Sequence, residues 1–378
     1  MKINNRLSRI DDYGFANIIN EKENALDLGV GDPDLKIHPN IINALIGGLN
    51  TNNFNRYPSS SGIIELKNAV IKSYKDIYNV NLSLEEVVIL IGSKEGINKI
   101  FACCCDYGDY AIIPQFGYPV YSSSCKLWGI EEYKVPITEN NEFLPQLGNI
   151  PKNISNISKI FIINYPNNPT GAVANSDFYS DITNYCYKHD IILCNDGAYN
   201  EIIEKNTKPI SLLQFDSCKK CIEFGTFSKI YNMTGFRIGF AVGNKNIIKS
   251  IIKVKDNCDS GQFSPIQYAA IEALKLNSDY KESINKIYDH RRNIAKKILK
   301  SKNIHCYDAK GTFYLWCKIP QSYTTDEFCM ELIEKYGIIT TPGYYFGNYG
   351  YGYFRISLTQ SAELIENYLN KLKVYNIY

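Results

Sequence analysis

Charge of one sign is what this sequence most lacks: 41 Lys plus Arg stand against 39 Asp plus Glu, for a net charge of +2. Such a balance builds no broad basic field for a polyanion, so nucleic acid is not an expected partner. Long apolar runs are missing too. No stretch approaches the roughly 18 residues of a membrane span, and the first residues, MKINNRLSRIDDYGF, have neither an apolar central region nor a small-residue cleavage site. A cytoplasmic protein with no membrane partner is expected. Histidine is scarce, and His38, His189, His290 and His305 lie in none of the motifs below, so no catalysis is assigned to them. Cysteine is plentiful, at 12, but scattered, with Cys103, Cys104 and Cys105 consecutive and no secretion signal. Reduced, mostly buried thiols fit this pattern better than disulfides. Cys218-Lys-Lys-Cys221 is a C-x-x-C with no second pair and no nearby histidine, so no metal site is expected. No internal repeat is visible.

What is present is ordinary globular material. A chain of 378 residues, 45% hydrophobic and 21% charged, favours two or three domains and has no difficulty burying a core. The middle of the chain alternates helical patterns with short apolar runs: Val87 to Ile91, Tyr110 to Ile113, Lys159 to Ile163, Ile191 to Cys194, Cys221 to Phe224 and Arg237 to Val242. This is how a doubly wound parallel sheet reads from sequence. From about Ile266 to Ser301 the pattern is one long amphipathic stretch, followed by a short strand over Thr312 to Lys318. These suggest a second domain. The first 40 residues stay outside the alternating pattern and are expected to pack with the C-terminal part.

Open parallel sheets bind ligands beyond the carboxyl ends of their strands. Three apolar runs are therefore informative. One is followed by Tyr165-Pro-Asn-Asn-Pro-Thr-Gly171, the next by Asp196-Gly-Ala-Tyr199 and the third by Thr226-Phe-Ser-Lys229, with Arg237 close behind in Met233-Thr-Gly-Phe-Arg-Ile-Gly239. An amide, a carboxylate, a phenol, two hydroxyls, an amine and an arginine would thus meet in one crevice. Pyridoxal phosphate uses all of them: a lysine amine joins its aldehyde as a Schiff base, and a carboxylate keeps the pyridine nitrogen protonated so that the ring draws in electrons. Hydroxyls, backbone amides and an arginine hold a phosphate dianion.

Each residue has a plainer reading. A loop lysine is usually a solvated charge, an Asp at a strand-to-helix turn is usually an N-cap, and Asn-Asn-Pro-Thr-Gly alone reads as a turn. Arg355, on an apparent strand, could belong to a structural ion pair, although its planar fork suits a carboxylate bidentately. The stretch Gly343 to Gly352 is most simply a loop. What favours chemistry is that the three loops supply each other's partners.

The chain resembles the fold-type I, class I/II aminotransferases, and within them most of all the LL-diaminopimelate aminotransferases. The resemblance spans nearly the whole chain. It is carried by Gly29-Val-Gly-Asp-Pro-Asp34, Arg56-Tyr-Pro-Ser-Ser-Ser-Gly62, Gly92-Ser-Lys-Glu-Gly96, Gly117-Tyr-Pro-Val-Tyr121, Tyr165 to Gly171, Ser228-Lys-Ile-Tyr-Asn-Met-Thr-Gly-Phe-Arg237, Gly311-Thr-Phe-Tyr-Leu-Trp316 and Tyr353-Phe-Arg-Ile-Ser357. Phe236, where relatives often carry tryptophan, and the poorly matching segment Tyr133 to Asn156 depart from it.

The resemblance implies an α/β fold in which a large pyridoxal-phosphate-binding domain with a mostly parallel seven-stranded sheet spans 41–285, and a smaller α/β domain comes from 1–40 and 286–378. It implies a homodimer with shared active sites. Lys229 would be the Schiff-base lysine, Asp196 the partner of the pyridine nitrogen, and Tyr199 and Asn168 the contacts to the ring oxygen. Thr226, Ser228, Arg237 and the backbone of Ser93 and Lys94 would form the phosphate cup, joined by Tyr57 of the second subunit. Tyr118 would stack on the ring, with Phe116 as the alternative. Arg355 would grip the substrate carboxylate beside the backbone of Gly31, and Tyr13, in Tyr13-Gly-Phe15-Ala, would face substrate. The implied substrates are an amino acid and a 2-oxo acid. LL-diaminopimelate with 2-oxoglutarate comes first, and Lys94 and Glu95 are candidates for the donor's distal charges. An alanine- or aspartate-type aminotransferase, or another pyridoxal-phosphate reaction such as β-elimination, is the alternative.

Overall fold

The computed structural model describes residues 4–10, 25–205 and 207–376. Tyr13 and Phe15 lie outside them. The strands are β1 (Leu26–Asp27), β2 (Val87–Leu90), β3 (Tyr110–Pro114), β4 (Glu131–Val135), β5 (Ser158–Ile163), β6 (Ile192–Asp196), β7 (Ile222–Thr226), β8 (Gly239–Gly243), β9 (Tyr314–Lys318), β10 (Ile338–Ile339), β11 (Thr341–Pro342) and β12 (Tyr353–Ser357). Seven of them form one sheet in the order β2-β8-β7-β6-β5-β3-β4. Its pairs are parallel except those of β8, which runs antiparallel to both β2 and β7. This is the mostly parallel seven-stranded α/β sheet that the resemblance implies.

The central strands are buried on both faces, as their unbroken apolar runs require. Ile160, Phe161, Ile162 and Ile163 of β5 are all in the core, and each such side chain contributes about 1.5–3 kcal/mol by leaving water. Helices supply the cover. In helix Lys245–Asp256 the residues Ile247, Ile248, Ile251 and Lys255 form the buried stripe, and Asn244 caps the first turn by accepting from the amides of Asn246 and Ile247.

The strands differ from the sequence reading by a residue or two at their ends, and β4 was not anticipated. It is an edge strand, Glu-Glu-Tyr-Lys-Val, paired only with β3 and largely half-exposed, so it carries no apolar run. The expected single amphipathic stretch is two helices, Ser264–Lys275 and Ser278–Ser301. The break falls at Leu276, in an extended conformation, and Asn277 caps the second helix through the Tyr280 amide.

A three-stranded antiparallel sheet, β11-β12-β9, stands beside the large one. Residues 26–30 are laced to it. β1 pairs in parallel with β10, the Ser357 amide donates to Leu28 O at 2.7 Å, and Thr341 Oγ1 donates to Gly29 O at 2.9 Å. Further on, Asp34 takes a bidentate bond from Arg291 at 2.6 and 2.8 Å. These ties bring the Gly29–Gly31 backbone to the carboxyl end of the large sheet. All 12 cysteines are unpaired, with Cys218 and Cys258 exposed, and no helix among the described residues is long and apolar enough to cross a membrane.

Candidate active site

β5, β6 and β7 are adjacent and parallel, so the loops that follow them open on the same side. Asn164, directly after β5, clamps the first two loops together. Its amide donates to the Asp196 carbonyl at 2.6 Å, and its oxygen accepts the Asn168 amide at 2.8 Å. Asn167 closes the same loop by accepting from the Thr170 amide at 3.1 Å and the Thr170 hydroxyl at 2.7 Å.

Asp196 ends β6 and is 4% exposed. Its Oδ2 accepts from the Tyr121 hydroxyl at 2.7 Å, whereas Oδ1 is buried with no hydrogen-bond partner among the described residues. Burial pushes this carboxyl up to about 6, against the Tyr121 bond, the backbone amide of Ala198 and the nearby Lys229. A buried carboxylate oxygen left without a donor is costly. A protonated pyridine nitrogen would supply that donor.

Beyond β7, the Ser228 amide donates to Thr226 Oγ1 at 3.2 Å, and the two hydroxyls lie 3.0 Å apart. This tight turn delivers Lys229, whose Nζ donates to Gly31 O at 2.7 Å. Burial lowers the Lys229 amine below its ordinary value; the positive charges of Arg355 and Arg237 act in the same sense, opposed by Tyr314 and Asp32. A neutral amine can act as nucleophile and base.

The cradle for an anion is built beside this turn. Gly92, at φ +77°, starts helix Ser93–Cys104 and exposes its first amides. A Cβ at Gly92 would stand 2.5 Å from Arg237 NH2, and one at Gly239 would stand 2.8 Å from the Ser93 amide. Arginine, helix N-terminus and glycine backbone are therefore packed together with no room for a side chain. Thr226 is tied to the same place, since its hydroxyl bonds Ile238 O at 3.3 Å. Arg237 is exposed and donates to Thr234 O at 2.8 Å. Lys94 is exposed, 5.9 Å from the Tyr118 ring. These donors, with the unpartnered Asp196 oxygen and the Lys229 amine, fit pyridoxal phosphate.

Arg355, in β12, is 7% exposed. NH1 donates to Asn168 Oδ1 at 2.8 Å, NH2 donates to Gly29 O at 2.6 Å, and Nε is buried with no partner among the described residues. Its guanidinium lies 4.0 Å from the Tyr314 ring and 4.7 Å from that of Phe346. The Tyr199 hydroxyl meets the Tyr314 hydroxyl at 3.1 Å, and burial together with Tyr314 raises the Tyr199 phenol well above its ordinary range.

The structure thus gathers Asn168, Asp196, Tyr199, Thr226, Ser228, Lys229, Gly31 and Arg355 in one connected cleft, with Ser93 and Arg237 at its anion cradle. Tyr118 stands edge-on to Tyr121 at 6.1 Å, while Phe116 is buried and stacked on Trp316 at 5.5 Å. Tyr57 is 90% exposed and joins nothing in its own chain's cleft among the described residues. Glu95 does not serve the substrate end: it turns inward, with Oε1 2.8 Å from the fully buried Lys255 Nζ and also paired with Lys99, and Oε2 taking the Ile91 amide. Tyr121 and Tyr314 were missed as site residues. Both lie in the motif segments quoted above, but nothing in their spacing announces the bonds to Asp196 and Tyr199.

A lysine and a buried carboxylate beside an anion cradle, at the strand ends of this sheet, define a pyridoxal-phosphate enzyme of fold type I. The chain belongs to the aminotransferase class I and II family, whose model matches residues 23–372; it is a transaminase. It is 40% identical over 377 residues to the LL-diaminopimelate aminotransferase of Moorella thermoacetica, and 42% identical over 377 residues to that of Halothermothrix orenii, with 97% of each chain covered in both cases. Among solved structures, substrate-bound BacF from Bacillus subtilis is similar over 100% of both chains, at 31% identity and a TM-score of 0.96.

Proposed function

We propose that the chain is an LL-diaminopimelate aminotransferase, exchanging an amino group between that donor and 2-oxoglutarate as a cytoplasmic homodimer. The observation that carries the chemistry is the presence in one cleft of a half-buried Lys229 amine, bonded to Gly31 O, and a buried Asp196 oxygen that has no partner among the described residues. The choice of donor rests on the relatives named above. The proposed division is a cofactor domain over 41–285 and a smaller domain from 1–40 and 286–378, with helix Ser278–Ser301 running from one into the other.

Bound here, pyridoxal phosphate supplies an aldehyde that takes up amines and a ring that accepts the electron pair of the substrate's α-carbon. Lys229 would hold the cofactor through its amine, and its Nζ, once free, would take the α-carbon proton. Asp196 Oδ1 would accept the pyridine N–H and keep that nitrogen charged, with Tyr121 fixing the other oxygen. Tyr199 and Asn168 bond the ring oxygen. Thr226, Ser228, Arg237 and the amides of Ser93 and Lys94 would hold the phosphate, joined by Tyr57 of a second copy, a role that the exposure of Tyr57 in the single chain supports. Tyr118 stacks on the ring; Phe116 is committed to Trp316. Arg355 binds the α-carboxylate beside Gly31, with Asn168 orienting its fork.

The test is kcat/KM for LL-diaminopimelate, its meso isomer, alanine, aspartate and lysine, each with 2-oxoglutarate. LL-diaminopimelate is expected to lead, because a pocket with polar groups for the distal charges leaves them unpaired around a short donor. A tenfold preference for alanine or aspartate, about 1.4 kcal/mol, would replace the donor and leave the transaminase intact.

A further inference from the structure

Tyr314 touches more of this cleft than any role assigned so far uses. It opens β9, next to β12, where Ser357 is its register partner and Arg355 faces Trp316 two residues along the same face. Arg355 is thus a diagonal cross-strand neighbour, close enough for long side chains to meet. The guanidinium carbon lies over the Tyr314 ring, 4.0 Å from its centroid. At the other end of the same side chain, the hydroxyl is 3.1 Å from that of Tyr199. The hydroxyl also fills the space over Gly31: a Cβ there would stand 1.7 Å from it. Gly31 is the residue whose carbonyl accepts from Lys229 Nζ at 2.7 Å. One buried phenol therefore borders the residues assigned above to the ring oxygen, the carboxylate and the lysine.

We infer that Tyr314 is a positioning residue for the transamination, setting Tyr199 through its hydroxyl and Arg355 through its ring face. The direction of the Tyr199 bond follows from chemistry. For Tyr199 to donate its proton to the cofactor's ring oxygen, its own oxygen must accept, and Tyr314 is the donor at 3.1 Å. A phenol that accepts a hydrogen bond donates its own more strongly. The ring face acts separately. It is a flat surface against which the Arg355 fork is held, opposite Phe346 at 4.7 Å, so that the fork meets a carboxylate without first being ordered.

Because this rests on the roles proposed for Tyr199 and Arg355, the test carries both as controls. The holoenzyme without substrate is titrated by its visible absorbance, and the half-reaction with glutamate is followed in single turnovers for rate and saturation constant. Tyr314→Phe keeps the ring and removes the hydroxyl. It is expected to move the absorbance midpoint upward in pH, in the same direction as Tyr199→Phe and by less, and to slow the half-reaction roughly three- to tenfold, with the saturation constant within about twofold of wild type. Tyr314→Leu removes both contacts and is expected to raise the saturation constant roughly tenfold or more as well, as Arg355→Lys does. If Tyr199→Phe moves the midpoint and Tyr314→Phe leaves it at the wild-type value, the inference is overturned while the role of Tyr199 stands. If neither moves it, the role of Tyr199 falls and that of Tyr314 with it. A saturation constant raised equally by Tyr314→Phe and Tyr314→Leu would overturn the separation of hydroxyl from ring. Should Tyr314→Leu not fold, the Tyr314→Phe midpoint decides alone.

Discussion

The strand-end side of the cleft and the Arg355 side are built on opposite plans. At the strand ends, Asp196 keeps one oxygen without a partner among the described residues and Arg237 is exposed with a bond to its own loop. Around Arg355, two guanidinium nitrogens are bonded to Asn168 and Gly29, and two aromatic rings enclose the plane. The first region is completed by a ligand; the second is ordered mostly by the chain itself, with Arg355 Nε left without a partner among the described residues. The cofactor side should therefore gain stability on binding, whereas the carboxylate side should lose affinity when its geometry is relaxed.

Substitutions can break this contrast, and the largest effect is expected at Lys229. Lys229→Ala removes the covalent link and the base together, and turnover should fall by more than about 10³-fold, while phosphate and ring contacts still hold the cofactor non-covalently. Equilibrium dialysis of cofactor alongside a single-turnover assay checks both halves.

Asp196→Asn comes next. Removing one partner of a buried charge pair costs about 3–5 kcal/mol, which is roughly two to four decades in kcat if expressed in the transition state; a loss under about threefold would contradict the role. The apoprotein gives a second readout. Its Asp196 carboxyl is raised from 3.8 to about 6, so the folded chain holds this proton more tightly than the unfolded one. Stability of the apoprotein should then decline as pH rises from about 4 to about 6, by an amount of order 2–3 kcal/mol, and stay lower above that. Asp196→Asn should flatten that decline in urea titrations and make the apoprotein, though not the holoenzyme, more stable at pH 8.

Arg355→Lys keeps the charge and loses the fork. KM for donors should rise roughly ten- to hundredfold, as expected for loss of charge-assisted hydrogen bonds, and an unchanged KM for every donor would move the carboxylate site elsewhere. Smallest is Tyr57→Phe, for which dialysis should show cofactor leaving a few-fold faster, roughly the effect of one hydrogen bond; equal retention would argue against a shared site.

The same contrast separates what could be read in the sequence from what could not. The strand-end loops were legible because each follows a buried apolar run, and because Asp196, Tyr199, Thr226, Ser228 and Lys229 lie within a few residues of the strand that presents them. Tyr121 bonding Asp196 across 75 positions, and Tyr314 meeting Tyr199 across 115, depend on how helix and sheet pack, which spacing does not encode. β4 was invisible because this charged edge strand, Glu-Glu-Tyr-Lys-Val, carries no apolar run. Glu95 was misread because its buried partner Lys255, unlike Lys99 one turn along the same helix, becomes a neighbour only when two helices cross. Gly31 gave no conformational signal, since its importance lies in the side chain it leaves room for.

The proposed chemistry depends on Lys229 being the covalent anchor, and reduction tests this most directly. Holoenzyme treated with borohydride, digested and mapped by mass spectrometry should carry the reduced cofactor on the peptide containing Lys229, with the visible absorbance lost in step. Label on any other lysine, or full absorbance loss with Lys229 unmodified, would contradict it.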